Sequence, residues 1–464
     1  MISFPVYLLA IAGTPLFTVI AALALISFHR TDIDLTVVFI EMYRLAETPT
    51  LTAIPLFAFT GFLLAESRAA DRLVRVSQAL LGWLPGGLAI MATIVCALFT
   101  AFTGASGMTI VALGGLLYPA LIRQGYREGF SLGLLTTSGS LGLLFPPSIP
   151  LIMYGIVADT PIDQLFVAGI VPGIILVGTV SLYCLFTGAR TDSPTQHRAP
   201  GELLQALMES AWELLLPVVV LVGIFGGFIA VSEAAALSTI YILLVEVVIH
   251  REISLRQLPG IMRDTMVLVG SIFAILAAAM GYTNFLIDAE IPNQLLEIIQ
   301  EHVSSRLAFL ILLNIFLLAV GCMVDMFSAL LVVVPLILPI AQGYDVHPIH
   351  LGIIFLTNLE IGYSTPPVGL NLFISSIRFQ KPILRLYWAS LPFLGILLVV
   401  LLAADERLDA AQLVEDLDAA AAVQAGGLAD PHVEVAVLGR HRLAREVAPR
   451  DGLEALHEAE PRAR

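Results

Sequence analysis

The chain has 464 residues, of which 58% are hydrophobic and 13% are charged, with a mean hydropathy of +0.92 and a formal net charge of −14. Soluble globular proteins carry about 25% charged residues and have no reason for repeated long apolar runs, so this composition excludes a soluble enzyme and a nucleic-acid-binding module. Apolar stretches of about 18 or more residues recur along the chain, which predicts an all-α polytopic membrane protein in contact with membrane lipid.

Residues 1–83 are predicted to form N-terminal scaffold helices and a surface arm. Apolar runs predict membrane crossings at 6–28 and 51–66. The N-terminus lacks the basic region and small-residue cleavage site of a signal peptide, so 6–28 is predicted to remain in the protein. The stretch 66–84 has mixed polar and apolar faces, which predicts a helix along the membrane surface.

Residues 84–187 are predicted to form a first transport repeat. The apolar region 84–122 is interrupted by the sequence TGASG at 103–107, which predicts a hairpin that enters and leaves on one side of the membrane. Two crossings follow, at 128–156 and 162–187. The first of them contains three prolines, which predicts a broken helix.

Residues 188–305 are predicted to form the central scaffold. They contain three apolar crossings, at 212–230, 233–250 and 262–286. A second amphipathic stretch at 293–307 predicts another helix along the membrane surface.

Residues 306–403 are predicted to form a second transport repeat. The apolar region 306–340 is interrupted by GCMVDMFS at 321–328, which predicts a second re-entrant hairpin. A broken crossing at 349–375 and a last crossing at 386–403 follow.

The distribution of Lys and Arg predicts the orientation. With both hairpins returning to their own side, one face receives thirteen Lys and Arg residues, in the loops 67–83, 123–127, 188–211, 251–263 and 376–386. The opposite face, apart from the C-terminal tail, receives three. This asymmetry predicts a cytoplasmic N-terminus and a periplasmic tail. If each hairpin were instead two full crossings, the number of Lys and Arg residues on each face would be the same. The prediction that the hairpins are re-entrant is therefore based on the polar breaks alone.

The second half of the chain repeats the order of motifs in the first. Each half has a Gly-rich break, then a Gly-Tyr pair (Gly125 and Gly343 begin them), then Gly-x-x-x-Pro-Pro (Gly142 and Gly362 begin them). The offset is about 220 residues. Five predicted crossings lie between the two hairpins, so the halves are inverted in the membrane. Inverted repeats with matching broken helices are typical of secondary transporters that bind at the membrane midplane.

The prolines of the broken helices predict exposed backbone carbonyls. Proline cannot donate a hydrogen bond to the carbonyl four residues earlier, so Pro146 and Pro147 are predicted to free the carbonyls of Gly142 and Leu143. Pro366 and Pro367 are likewise predicted to free the carbonyls of Gly362 and Tyr363. A free carbonyl in hydrocarbon needs a partner, and Na⁺ prefers oxygen ligands. Nearby polar side chains add further ligands, among them Ser148, Asn358 and Thr365.

The hairpin tips present complementary polar groups. Thr103, Gly104 and Ser106 lie at the first tip, and Gly321, Asp325 and Ser328 lie at the second. A carboxylate at membrane depth is a functional candidate. Three roles stay open for Asp325: binding a cation, relaying a proton, or capping the following helix.

Several of these segments resemble one family. Seven segments are similar, in order, to motifs of the large membrane subunit of tripartite ATP-independent periplasmic (TRAP) transporters. They are LFAFTGFLL, GWLPGGLA, FTGASG, GLLFPPSIPLIMYG, GGFIAVSEAAA, MVDMFSALLVVVPLILPIA and NLEIGYSTPPVGLNLF. The last motif is most similar to subunits grouped with dicarboxylate uptake. The resemblance covers about residues 1–403.

The resemblance implies an elevator-type symporter in the bacterial inner membrane, driven by Na⁺ or H⁺ and without a bound cofactor. It implies two partners: a separate small four-helix membrane subunit and a periplasmic binding protein that delivers an organic anion, such as a C4-dicarboxylate. The implied ion and substrate site comprises Thr103, Gly104, Ser106, Gly142, Leu143, Pro146, Pro147, Ser148, Gly321, Asp325, Ser328, Asn358, Gly362, Tyr363, Thr365, Pro366 and Pro367. The Ala-rich polar tail 404–464 departs from the family pattern, and its composition predicts disorder or a loose helix.

Two rival interpretations were weighed. An intramembrane serine protease needs a histidine base near its nucleophile, but all nine histidines fall in loops, at helix ends or in the tail, so an enzyme is not predicted. A single-component dicarboxylate/cation symporter of related fold is the alternative, although the Ser-Asn-Thr tips of such carriers are absent here. The sequence does not identify the organic acid, the coupling ion or the role of Pro150.

Overall fold

The computed structural model describes residues 14–31, 33–190 and 201–407. These residues form helices within one compact unit, and no strand occurs among them. Part of the first predicted crossing, part of the 188–211 loop and most of the predicted tail lie outside the described residues. The last helix continues to Arg407, so residues 404–407 of the predicted tail belong to that helix.

The first half of the described chain contains nine α-helices. They are α1 (Leu16–Arg30), α2 (Thr36–Ala46), α3 (Ala53–Glu66), α4 (Ala69–Leu81), α5 (Gly87–Thr103), α6 (Ser106–Arg123), α7 (Glu128–Ser138), α8 (Ile149–Val157) and α9 (Ile162–Ala189). A short 3₁₀ helix at Pro49–Thr52 leads into α3.

The second half of the described chain contains ten α-helices. They are α10 (Glu202–Glu209), α11 (Ala211–Phe225), α12 (Val231–Leu244), α13 (Leu258–Asp288), α14 (Ile291–His302), α15 (Arg306–Met323), α16 (Met326–Gln342), α17 (Pro348–Gly362), α18 (Leu370–Phe379) and α19 (Ile383–Arg407). A π-helical turn at Val245–Ile249 extends α12.

Seven helical stretches of the described residues are long and apolar enough to cross a membrane. An eighth is obtained if α10 and α11, which are bent by 66° relative to each other, are counted together. The predicted crossings 128–156 and 349–375 do not qualify, because each divides into two short helices at its prolines. Their division agrees with the predicted breaks.

Both predicted hairpin interruptions are present. Helices α5 and α6 are separated by Gly104 and Ala105, and helices α15 and α16 by Val324 and Asp325. Helices α6 and α15 have 18 residues each, enough for a full crossing by length. Helix length therefore does not distinguish a re-entrant hairpin from a full crossing, and the depth to which each hairpin enters the membrane stays a prediction.

The two amphipathic stretches form the separate helices α4 and α14. The second is shorter than predicted, because α14 ends at His302 and Arg306 begins α15. The Ser305 hydroxyl accepts a hydrogen bond of 3.2 Å from the Ala308 amide and so caps α15. The predicted surface helix 293–307 is therefore wrong at its C-terminal end.

A buried ionic cluster attaches the arm helix α4 to the scaffold. Arg72 is 4% exposed and lies 2.6 Å from a Glu213 carboxylate oxygen on α11 and 3.0 Å from Glu246 in the π-helical turn. It also pairs with Glu252, whose carboxylate accepts a further bond of 2.7 Å from the Arg68 amide. Burial alone would lower the pKa of Arg72, but the surrounding carboxylates outweigh it and raise that pKa.

The two halves of the chain interleave around the breaks. Helix α18 of the second half packs on α6 of the first, and α16 packs on α8. Helix α7 packs against both arms of the first hairpin, and α17 packs against α15 of the second. The two helix breaks and the two hairpin tips are thereby brought into one region of the fold.

Candidate functional site

The first break is a buried turn of ten residues between α7 and α8. Its backbone bonds are short-range: Leu143 donates to Ser140 at 3.0 Å and Phe145 donates to Gly142 at 3.1 Å. The Pro146–Pro147 peptide bond is cis. Pro150, unexplained by the sequence, lies in the first turn of α8, where a backbone N–H has no helical partner and proline is therefore tolerated.

The second break lies between α17 and α18 and has a similar course. Thr365 donates to the Gly362 carbonyl at 2.9 Å, and Asn371 donates to the Tyr363 carbonyl at 3.0 Å. The Pro366–Pro367 bond is also cis. The Gly369 amide donates to Cys322 at 3.0 Å, which attaches this break to the second hairpin.

The prediction of four freed carbonyls is wrong for three of them. The carbonyls of Gly142, Gly362 and Tyr363 each accept a main-chain hydrogen bond, because the chain turns tightly and later amides replace the missing proline donors. For Leu143, no hydrogen bond to the carbonyl is present among the described residues. A carbonyl oxygen has two lone pairs, so a carbonyl that accepts one main-chain hydrogen bond can still bind a cation. The Na⁺ site at these carbonyls therefore stays a prediction.

Buried side-chain oxygens around the breaks lack partners instead. Among the described residues, no hydrogen bond reaches the oxygens that follow: Thr137 Oγ1, Ser138 Oγ and Ser148 Oγ at the first break, Asn358 Oδ1, both Glu360 carboxylate oxygens and Ser364 Oγ at the second, and Thr103 Oγ1 at the first hairpin. A buried polar atom without a partner costs about 1–3 kcal/mol. Such a set of oxygens is suited to a hard cation or to ordered water.

The two hairpin tips differ in how their second helices begin. Helix α5 ends at Thr103 and is followed by the C-cap Gly104, whose φ of +61° is left-handed, and α6 begins after Ala105 without a side-chain cap. Helix α16 is capped by Asp325, whose carboxylate accepts bonds from the Phe327 amide at 3.0 Å and the Ser328 amide at 3.2 Å. The capping role left open for Asp325 is therefore present.

A cavity of about 670 Å³ lies where the tips and breaks meet. Five of the predicted site residues line it: Gly104, Ser106, Leu143, Asp325 and Tyr363. Tyr363 also connects the second break to the second tip, because its hydroxyl accepts a hydrogen bond from the Met326 amide. The rest of the lining is mostly apolar, including Phe62, Met108, Val111, Phe327, Leu370 and Ile374.

Other predicted site residues lie outside the cavity, and the glycines among them serve helix packing. Gly142 lies against α5, where an added Cβ would come within 2.0 Å of the Ala97 carbonyl oxygen. Gly362 and Gly321 are in close contact across α17 and α15. The remaining predicted residues do not line the cavity: Thr103, Pro146, Pro147, Ser148, Ser328, Asn358, Thr365, Pro366 and Pro367.

Sequence reasoning missed Asn371, which joins the two halves of the site. Its side-chain oxygen accepts a 2.7 Å bond from the Ser106 hydroxyl at the first tip, and its amide nitrogen donates to Thr136 at 3.4 Å. Its backbone amide binds Tyr363 in the second break. The available signal was its position in GLNLF directly after the second Pro-Pro pair, where an amide at membrane depth needs partners.

Two broken helices that meet two hairpin tips around a cavity define the architectural class of secondary membrane transporters. The family described as "Tripartite ATP-independent periplasmic transporter, DctM component" matches residues 3–405. The chain belongs to this family and is a large TRAP permease subunit. Members of the family are named as transporter permeases, not enzymes.

Two relatives and one solved structure are similar to the chain over most of its length. The chain is 36% identical to the C4-dicarboxylate TRAP transporter large permease protein DctM of Pseudomonas aeruginosa, over 78% of this chain and 85% of the relative. It is 31% identical to the ectoine/5-hydroxyectoine TRAP transporter large permease protein UehC of Ruegeria pomeroyi, over 85% and 93%. The YdaH transporter of Alcanivorax borkumensis shares the fold, with a TM-score of 0.53 and 14% identity over 81% of this chain and 89% of the other.

Proposed function

We propose that the protein is the permease subunit of a TRAP transporter that couples uptake of an organic carboxylate to Na⁺ or H⁺, with Na⁺ favoured. The observation that carries this proposal is the set of buried, unpartnered oxygens at both helix breaks. Their residues do not line the cavity at the hairpin tips, but Leu143 of the first break and Tyr363 of the second break do. Bound Na⁺ would satisfy these oxygens, and the breaks would open and close with it.

Corresponding elements support an inverted-repeat, elevator-type mechanism. Each half has a helix pair, a broken helix and a glycine of the break in contact with the first arm of its hairpin: Gly142 against α5 and Gly362 against α15. Because an odd number of predicted crossings, five, separates the two hairpins, the two halves of the chain are inverted relative to each other in the membrane. Each hairpin is re-entrant in this proposal. The hairpins and broken helices then move together as one transport unit against the remaining helices.

The proposed assembly has further chains. A small four-helix membrane subunit supports the permease, and a periplasmic binding protein delivers the carboxylate. The excess of Lys and Arg on one face supports a cytoplasmic N-terminus in the bacterial inner membrane. A C4-dicarboxylate is the first substrate to test, because the Pseudomonas aeruginosa relative bears that name.

We expect Ser148→Ala to weaken ion coupling selectively. The variant removes an oxygen that is buried at the first break and has no partner in the described structure. The Na⁺ concentration for half-maximal uptake should rise about tenfold, which corresponds to about 1.4 kcal/mol of lost ion binding. The measurement is uptake of labelled succinate into proteoliposomes with the small subunit and the binding protein, across a series of Na⁺ concentrations.

Ser390→Ala is the matched control. Ser390 is equally buried and its hydroxyl is equally without a partner among the described residues, but it lies on α19 outside both breaks. An equal change of Na⁺ dependence in both variants would contradict the assignment of Ser148. Uptake by the permease and small subunit without any binding protein would favour the single-component symporter instead.

A further inference from the structure

The charged residues that line the cavity have the wrong sign for a carboxylate. Among the described lining residues, the charged ones are Glu66 at the end of α3 and Asp325 at the second tip, and both are acidic. A carboxylate that leaves water for this largely apolar cavity loses hydration and needs hydrogen-bond donors in return. A cationic side chain near the cavity would supply them.

Arg378 lies one helical turn beyond the cavity. Ile374 of α18 lines the cavity, and Arg378 follows it by four residues on the same face of that helix, about 6 Å further along the axis. On α6, Val111 lines the cavity and Gly115 follows it by the same interval. Arg378 and Gly115 therefore form the next layer of the walls, towards the loops that are rich in Lys and Arg.

The absence of a side chain at Gly115 creates the space that Arg378 occupies. A Cβ added at Gly115 would lie 1.6 Å from Arg378 Nη2 and 2.6 Å from Cζ, so the guanidinium is in direct contact with the backbone of α6. The Arg378 aliphatic chain also passes Gly114, which receives the Phe379 ring. Two successive glycines thus hold the arginine against the hairpin arm.

The Arg378 guanidinium has no carboxylate partner among the described residues, unlike neighbouring cations. Lys381 lies 2.6 Å from Glu128, and Arg385 pairs with the other oxygen of the same carboxylate. No ion pair of Arg378 is present in residues 14–31, 33–190 and 201–407, and its side chain is exposed. Its planar set of N–H donors is therefore available to a carboxylate in bidentate geometry.

We propose that Arg378 is an anion-binding residue at the loop-side end of the cavity, where it binds the carboxylate of the transported molecule. This proposal rests on the proposed function, because it assigns the anion to the transported substrate. The same guanidinium chemistry would bind the phosphate of a lipid headgroup. The experiment must therefore separate these two sources of the anion.

Two variants test the role from opposite sides of the contact. Arg378→Gln removes the charge, and Gly115→Ala displaces the guanidinium while leaving it in the chain. Alanine favours a helix more than glycine does, so the second variant does not weaken α6 itself. Both should raise the KM for succinate uptake about tenfold with kcat little changed, because an interaction made with the bound substrate is lost. Arg378→Lys should recover part of the loss.

The control is Gly178→Ala on α9, where an added Cβ meets no atom within 4 Å and KM should match the wild type. The assays use the assembled transporter in vesicles of phosphatidylcholine alone and in vesicles that also contain phosphatidylglycerol.

An unchanged KM in Arg378→Gln overturns the proposal. An effect confined to the phosphatidylglycerol vesicles also overturns it, because that result would assign Arg378 to lipid binding. Absence of succinate uptake by the wild type under both a Na⁺ gradient and an H⁺ gradient contradicts the proposed function separately. Unchanged direct succinate binding by Arg378→Gln then overturns the Arg378 assignment as well.

Discussion

Replacing Arg72 by methionine should destabilise the protein more than any other single change of a surface-helix charge. Arg72 faces three carboxylates, and the side chains of Glu213 and Glu246 are 2% and 0% exposed. Without the guanidinium, Glu246 stays buried without a basic partner among the described residues, and Glu213 keeps only His250, whose Nε2 lies 3.4 Å from its carboxylate. Breaking a buried ion pair in this way costs about 3–5 kcal/mol, so the thermal unfolding temperature in detergent should fall clearly.

Arg75→Met provides the control on the same helix. Arg75 also pairs with a glutamate, Glu209, at 2.8 Å, but the two side chains are 55% and 37% exposed. Exposed pairs contribute about 0–1 kcal/mol, so this variant should unfold close to the wild-type temperature. Equal unfolding temperatures for the two variants would show that Arg72 is not the residue that holds α4.

A triple variant separates charge from packing. Adding Glu213→Gln and Glu246→Gln to Arg72→Met removes two of the buried negative charges, so part of the lost stability should return. A cycle of single and combined variants measures this coupling directly. If the combined variant is no more stable than Arg72→Met alone, lost packing of the long Arg72 side chain explains the effect instead.

The sequence predicts the helices and the positions of their interruptions well, for a physical reason. Apolar length, Pro-Pro pairs and Gly-rich breaks are local properties, and TGASG and GCMVDMFS do mark the tips. The family resemblance rests on the same local motifs. Helix ends are less certain, because capping by a residue such as Ser305 competes with the amphipathic pattern that precedes it.

Contacts between distant residues were beyond the reach of the sequence. The proline rule identifies missing donors, but it does not reveal that a later amide such as Phe145 or Asn371 supplies the bond instead. The partners of Asn371, the carboxylates around Arg72 and the space that Gly115 gives to Arg378 depend on how α-helices pack. These contacts determine most of the chemistry of the candidate site.

Gly142→Ala should abolish most uptake by separating the first break from its hairpin. An added Cβ would lie 2.0 Å from the Ala97 carbonyl oxygen and 2.7 Å from the Ala101 amide nitrogen. Both atoms belong to the backbone of α5, so no flexible side chain can move aside. The break itself must shift, which costs about 1–3 kcal/mol and displaces the unpartnered oxygens of Thr137 and Ser148.

The matching change in the second half is Gly362→Ala. Its added Cβ would lie 2.7 Å from the Gly321 Cα on α15, again a backbone atom. Because the two glycines hold equivalent contacts in the two halves, each single variant should lose uptake of labelled succinate by more than about tenfold. Gly129→Ala on α7 is the control, since an added Cβ there meets no atom within 4 Å.

Sodium dependence distinguishes a displaced site from a misfolded protein. A variant that folds with a shifted break keeps a cooperative unfolding transition, but Na⁺ should no longer raise its unfolding temperature, because a ligand stabilises only the state that binds it. Gly129→Ala should retain that stabilisation. If Gly142→Ala keeps both uptake and stabilisation by Na⁺, the contact between the first break and α5 is not required for ion binding.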